Sequence, residues 1–152
     1  MDYDVSSKEL PAQLALTIRK RVSMATIAPA MGEAFDTIMA HVEAGGAQYA
    51  GPPFTLYPGE MAEELDVVVC MPVAPGATAG PGVDLEEVPG GTVACTMHKG
   101  PYAAVGGAYG AIQAWMAANG HRPGAPPREV YVNEPGTVPE SELLTEIDWP
   151  IS

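Results

Sequence analysis

The chain has 152 residues, 47% of them apolar, and carries 7 Lys and Arg against 19 Asp and Glu, a formal net charge of -12. That length suits one hydrophobic core and a single domain over residues 1–152, the apolar content disfavours disorder, and the charge disfavours nucleic acid, whose binding depends on cations that displace counterions. No stretch approaches the roughly 18 apolar residues of a membrane span, and Met1-Asp2-Tyr3-Asp4 opens no basic and apolar leader, so a cytoplasmic protein without membrane contact is expected.

Leu14, Leu16 and Ile18 alternate with Ala15, Thr17 and Arg19, the period of a half-buried strand. Phe35, Ile38, Met39 and Val42 then recur at helical spacing ahead of a stop at Gly45-Gly46. Pro52-Pro53 opens a short strand over residues 54–57. After a turn at Pro58-Gly59 and an acidic stretch with Glu60, Glu63, Glu64 and Asp66, residues 65–73 read as a valine-rich strand that contains Cys70. Residues 74–82, almost wholly Ala, Gly, Pro and Thr, read as a flexible loop between two halves.

The order then repeats. A strand is expected over residues 92–98, around Cys95, and a helix from Pro101, with Val105, Tyr109, Ile112 and Met116 as its buried stripe and Asn119-Gly120 as its stop. Pro126-Pro127 opens a strand over residues 128–132, and residues 143–151 supply the last one. The two cysteines read as reduced core residues. Pro52-Pro53-Phe54-Thr55-Leu56-Tyr57 aligns with Pro126-Pro127-Arg128-Glu129-Val130-Tyr131, and Met71-Pro72-Val73 with Trp149-Pro150-Ile151. The prediction is an α+β fold: two strand-helix-strand-strand modules, about 12–73 and 85–152, related by a pseudo-twofold axis, forming antiparallel sheet with helices covering one face.

Strand alternation nominates side chains for the opposite, uncovered face. If Val130 and Val132 face the helices, Glu129 and Tyr131 face the opposite side, and the same rule sends Thr55 and Tyr57 there while Phe54 and Leu56 pack inward. Tyr102, after the Gly100-Pro101 turn, is a further candidate wall residue, whereas Tyr109 and Trp115 read as core. The residues alone leave Glu129 two roles: a site carboxylate, or the partner of a basic side chain such as Arg19 or Arg128. His41, His98 and His121 lack metal-ligand spacing, and neither a phosphate loop nor a nucleophile elbow is present, so no metal and no cofactor are expected.

Gly51 to Tyr57, residues 66–73, Val88-Pro89-Gly90-Gly91-Thr92-Val93-Ala94, His98-Lys99-Gly100-Pro101-Tyr102, Tyr109, Trp115, Glu129-Val130-Tyr131 and residues 145–151 resemble, in order and spacing, the GyrI-like (gyrase-inhibitor-like) small-molecule-binding domain. That domain is also the effector-binding half of AraC-type and MerR-type multidrug regulators. The resemblance implies two modules around a central groove, with the glutamate at position 129 near its bottom meeting cationic, aromatic ligands. About ten residues precede the first expected strand, so the domain is expected to stand alone and not to read DNA by the family's usual means. The reading preferred is capture of hydrophobic, aromatic, cationic compounds for sensing, sequestration or resistance, with Glu129, Tyr131, Tyr57, Thr55 and Tyr102 as ligand-binding residues. The alternative that the resemblance carries is hydrolysis of cyclopropane-bearing, DNA-alkylating natural products. Glu129 would then be the general base on a water and Tyr131 its companion, since a carboxylate in an apolar groove tends towards a raised pKa. A third reading is inhibition of a protein partner such as DNA gyrase. Between Arg21 and Lys99 there is no Lys or Arg, which makes the field of the first module attractive to cations.

Overall fold

A computed structural model describes residues 3–23, 25–58, 63–133 and 137–152. Gly59 of the expected Pro58-Gly59 turn and Glu60 of the acidic stretch lie outside the described residues. Among those described, the elements run β1 (Ser6–Leu10), β2 (Gln13–Ser23), α1 (Ile27–His41), β3 (Phe54–Leu56), β4 (Glu64–Pro72), β5 (Asp84–Val88), β6 (Gly91–Lys99), α2 (Gly106–Asn119), β7 (Arg128–Tyr131) and β8 (Leu144–Pro150). The fold is α+β with antiparallel strands. They divide into two compact units, Ala12–Pro89 and Gly90–Ser152, the latter joined by the residues up to Pro11. No helix among the described residues is long and apolar enough to cross a membrane.

In the unit Ala12–Pro89 the strands run β3-β4-β2-β5. Helix α1 brings Ala34 and Ile38 onto Leu16, Val69, Met71, Val73 and Val83, with Met31, Phe35 and Val42 flanking them. Positions 31, 34, 35, 38 and 42 form one helical stripe. Met39, expected on that stripe, is 42% exposed. Ile38 occupies the centre of the contact, and the next residue is turned about 100° away from it. Residues 74–82 connect β4 to β5 inside this unit rather than joining two halves. They are tied down by Ala74 N–H to Gln48 O (2.9 Å), Thr78 N–H to Gly46 O (2.9 Å) and His41 Nε2 to Thr78 O (2.6 Å).

On the face opposite α1, the Arg19 guanidinium grips Glu86 at 2.6 and 2.9 Å, and Thr17 donates to the same carboxylate. The Arg19 hydrogen bonds, then that of Thr17, hold the Glu86 carboxyl at about 2, below the ordinary carboxylate value. Its folded-state pKa is depressed, so the stabilisation is present above about pH 4.5 and is lost as pH falls towards 2. Both side chains are partly exposed, which limits the gain to about 0.2–1 kcal/mol. Urea denaturation should find Glu86→Gln less stable than the parent by that amount at pH 7 and equal to it near pH 2.

In the other unit the strands run β1-β6-β8-β7. Ala108, Ile112 and Met116, spaced by four on α2, pack on Ala94 of β6 and Ile147 of β8. Pro101 stays extended and is followed by a single 3-10 turn, Tyr102–Ala104, so α2 starts at Gly106 rather than at the proline. It stops where Gly120 takes a left-handed conformation, φ 74°, and its N–H caps Met116 O.

Register equates the two units position by position. Thr55 lies opposite Val69 as Glu129 lies opposite Ile147, and Phe54–Cys70 corresponds to Arg128–Asp148. Thr17–Cys70 likewise corresponds to Cys95–Asp148. Each unit holds a fourth strand that the sequence pattern does not announce, β5 in one and β1 in the other. Ser6-Ser7-Lys8-Glu9-Leu10 is polar and mostly exposed, and Asp84-Leu85-Glu86-Glu87-Val88 is acidic and only partly buried, neither with the apolar alternation of a half-buried strand.

Candidate functional site

Alternation along β7 separates Glu129 and Tyr131 from Arg128 and Val130 as expected, but the side each pair takes is reversed. Glu129 stands opposite Ile147, whose side chain packs under α2, so Glu129 and Tyr131 lie on the helix-covered side of their sheet. The same holds in the other unit, where Thr55 stands opposite Val69 beneath α1. Tyr57 packs with Val22, Leu65 and Val67 against Ile27 and Ala30 of α1. The register with the central strand sets the facing, and it outweighs the apolar character of Val130 and Val132, the latter 45% exposed.

Glu129 is 9% exposed. Helix α2 supplies its clearest partner: the Tyr109 hydroxyl donates to Glu129 Oε2 at 2.6 Å. Burial, then the Glu129 charge and that hydrogen bond, push the Tyr109 phenol far above its ordinary value, so it remains a donor at neutral pH. The Tyr109 ring also meets Trp149 edge-on, centroids 5.8 Å apart. Tyr102 stands edge-on to Tyr131 at 5.7 Å, and burial followed by the Glu129 charge raises its phenol as well. One buried carboxylate thus accepts from Tyr109, which rests against Trp149, and its charge reaches Tyr102, which rests against Tyr131.

Of the expected site residues, Glu129, Tyr131 and Tyr102 gather in the unit Gly90–Ser152, whereas Thr55 and Tyr57 belong to Ala12–Pro89, Thr55 fully buried there. Tyr109, expected in the core, instead donates to Glu129. Its helical phase relative to Ile112 and Met116 was legible, but its role depends on which side of β7 faces α2. Of the basic partners expected for Glu129, Arg19 is held by Glu86, and Arg128 stands in register with Asp148. Burial, with a hydrogen bond and charge from Glu146, raises the Asp148 carboxyl, and burial raises the Cys95 thiol in the same row. Arg128, Asp148 and Cys95 are all buried in that row, and a thiol pushed up by burial is a weak nucleophile.

Tyr109→Phe removes the donor to a buried carboxylate oxygen and should cost about 1–3 kcal/mol of stability, which urea denaturation monitored by tryptophan fluorescence will read. A depression of about 380 Å³ lies in the other unit, lined by Arg19, Lys20, Arg21, Pro58 and Asp66 among others. Its three cations are paired with Glu86, Glu33, and Glu64 with Asp66, and it holds no buried carboxylate. Of the two places, the one at Glu129 holds the buried carboxylate. No group of three His, Cys, Asp or Glu among the described residues could hold a metal ion.

A family model, the GyrI-like small molecule binding domain, matches residues 3–152. The crystal structure of the EcmrR C-terminal domain is 26% identical, with a TM-score of 0.82, covering 100% of this chain and 99% of that one. EcmrR in a cryo-EM structure of an EcmrR–DNA complex is 26% identical with a TM-score of 0.85. There the match covers 99% of this chain and 57% of the EcmrR chain, so this chain spans little more than half of that protein. SAV2435 bound to tetraphenylphosphonium shares the fold at 14% identity and a TM-score of 0.64, with 100% and 94% of the two chains covered. Curated protein sequences give no match.

Proposed function

The chain belongs to the family of GyrI-like small-molecule-binding domains, and from that premise we propose that it captures hydrophobic, aromatic, cationic compounds at Glu129. The observation that carries this reading is the buried Glu129 carboxylate, held by Tyr109, with the paired Tyr102 and Tyr131 rings in the same unit and Tyr102 within reach of its charge. An organic cation leaves water at a cost, and a carboxylate already withdrawn from water offsets it through a charge interaction that little solvent screens. Aromatic faces add cation–π attraction of about 0.5–2 kcal/mol each without demanding one ligand shape. Tyr109 fixes one carboxylate oxygen, which limits the reorganisation that binding requires. Such a site tolerates varied flat or propeller-shaped cations, the property that sensing, sequestration or resistance needs. The acidic chain makes no DNA contact of its own in this reading.

Tetraphenylphosphonium, the compound bound to SAV2435, serves as the probe together with planar cationic dyes and cyclopropane-bearing alkylators. Saturable quenching of Trp149 and Trp115 fluorescence, with the compounds recovered unchanged by mass spectrometry, is the expected result. Recovery of a water adduct would replace capture by hydrolysis with Glu129 as base, and no saturable binding of any cation would overturn the reading.

A further inference from the structure

His98 lies on β6, is 2% exposed, and has both ring nitrogens engaged. Nε2 is 2.9 Å from Pro101 O, a carbonyl that can only accept, so Nε2 carries the proton. In the neutral ring Nδ1 then accepts from the Tyr3 hydroxyl, 2.8 Å away. On one side of this bridge is the turn that carries Tyr102, with its ring against Tyr131 and within reach of the Glu129 charge. On the other side residues 3–5 are laid onto the same unit. The Tyr3 ring stacks on His98 with centroids 6.0 Å apart and seats on Gly107 of α2, where a Cβ would come within 3.2 Å of it. Asp4 O accepts from the Thr96 hydroxyl at 2.8 Å, and Val5 joins the α2 cluster.

We propose that His98 is a positioning residue that couples occupancy of the Glu129 site to the docking of residues 3–5, through the Pro101-Tyr102 turn. The inference rests on the binding reading above. A ligand that enters beside Tyr131 displaces or clamps the Tyr102 ring, and with it the Pro101 carbonyl. His98 is too buried to exchange that carbonyl for water, so a shift at Nε2 is passed to Nδ1 and to the Tyr3 hydroxyl. Ligand and residues 3–5 therefore act on the same turn and the same His98 ring, and linkage makes the effect reciprocal.

Tyr3→Phe tests this, because it deletes one hydroxyl and leaves Glu129 and its three tyrosines untouched. Amide hydrogen exchange of residues 3–5 is measured with and without saturating tetraphenylphosphonium, and affinities are measured by calorimetry. Binding is expected to change exchange in residues 3–5 of the wild type by about fivefold or more, and Tyr3→Phe to abolish that change and shift the affinity by a similar factor. Unchanged exchange on binding, or a Tyr3→Phe affinity within about twofold of wild type, overturns the coupling and leaves the Glu129 site standing. Failure of the wild type to bind removes both.

Discussion

Ile147→Ala is expected to destabilise the protein by about 2–5 kcal/mol. Ile147 is 0% exposed at the middle of β8, between Thr96 and Glu129 in register, and beneath Ala108, Ile112 and Met116 of α2. Its nearest partners across the contact include Ala94 and Ala108, whose side chains are too short to relax into a void left by the lost carbons. The site suffers as well, because the strand that fixes Glu129 loses the contact that sets its facing. Urea denaturation reads the loss. Val132→Ala, at a position 45% exposed, should shift stability by less than about 0.5 kcal/mol.

Glu129→Gln is expected to weaken tetraphenylphosphonium binding roughly ten- to a hundredfold, the equivalent of about 1.5–3 kcal/mol. The amide has nearly the same shape, and its oxygen still accepts from Tyr109, so the folded state changes little and the lost charge dominates. The general field of the protein hardly changes, since 19 acidic residues become 18 and the net charge moves from -12 to -11. Glu140→Gln makes the same change in net charge at an exposed position and is expected to leave affinity unchanged. Calorimetric titration of the three proteins at one ionic strength separates a local carboxylate from bulk attraction.

Much of the fold was legible in the sequence because apolar spacing survives in the buried elements. Leu14, Leu16 and Ile18 and the α2 stripe at Ile112 and Met116 announce themselves, and the alignment of Thr55 with Glu129 proves to be a register equivalence. Strands β1 and β5 were not legible, because a strand with one neighbour and an exposed face needs no apolar alternation. The candidate site was half legible. Glu129, Tyr131 and Tyr102 could be nominated from strand and turn position, but facing could not be settled from β7 alone. Val130 and Val132 suggested the wrong side, since the pairing of Glu129 with Ile147 is information held by another strand. Tyr109 was hidden for the same reason: a tyrosine on a helix stripe reads as core until the carboxylate opposite it is known.

The most direct measurement is a titration of the isotope-labelled protein with tetraphenylphosphonium, followed by nuclear magnetic resonance. Saturable shifts centred on Glu129, Tyr131, Tyr102 and Tyr109 are predicted. Shifts centred on the Arg19–Arg21 depression, or none that saturate, would contradict the assignment of binding to the Glu129 carboxylate.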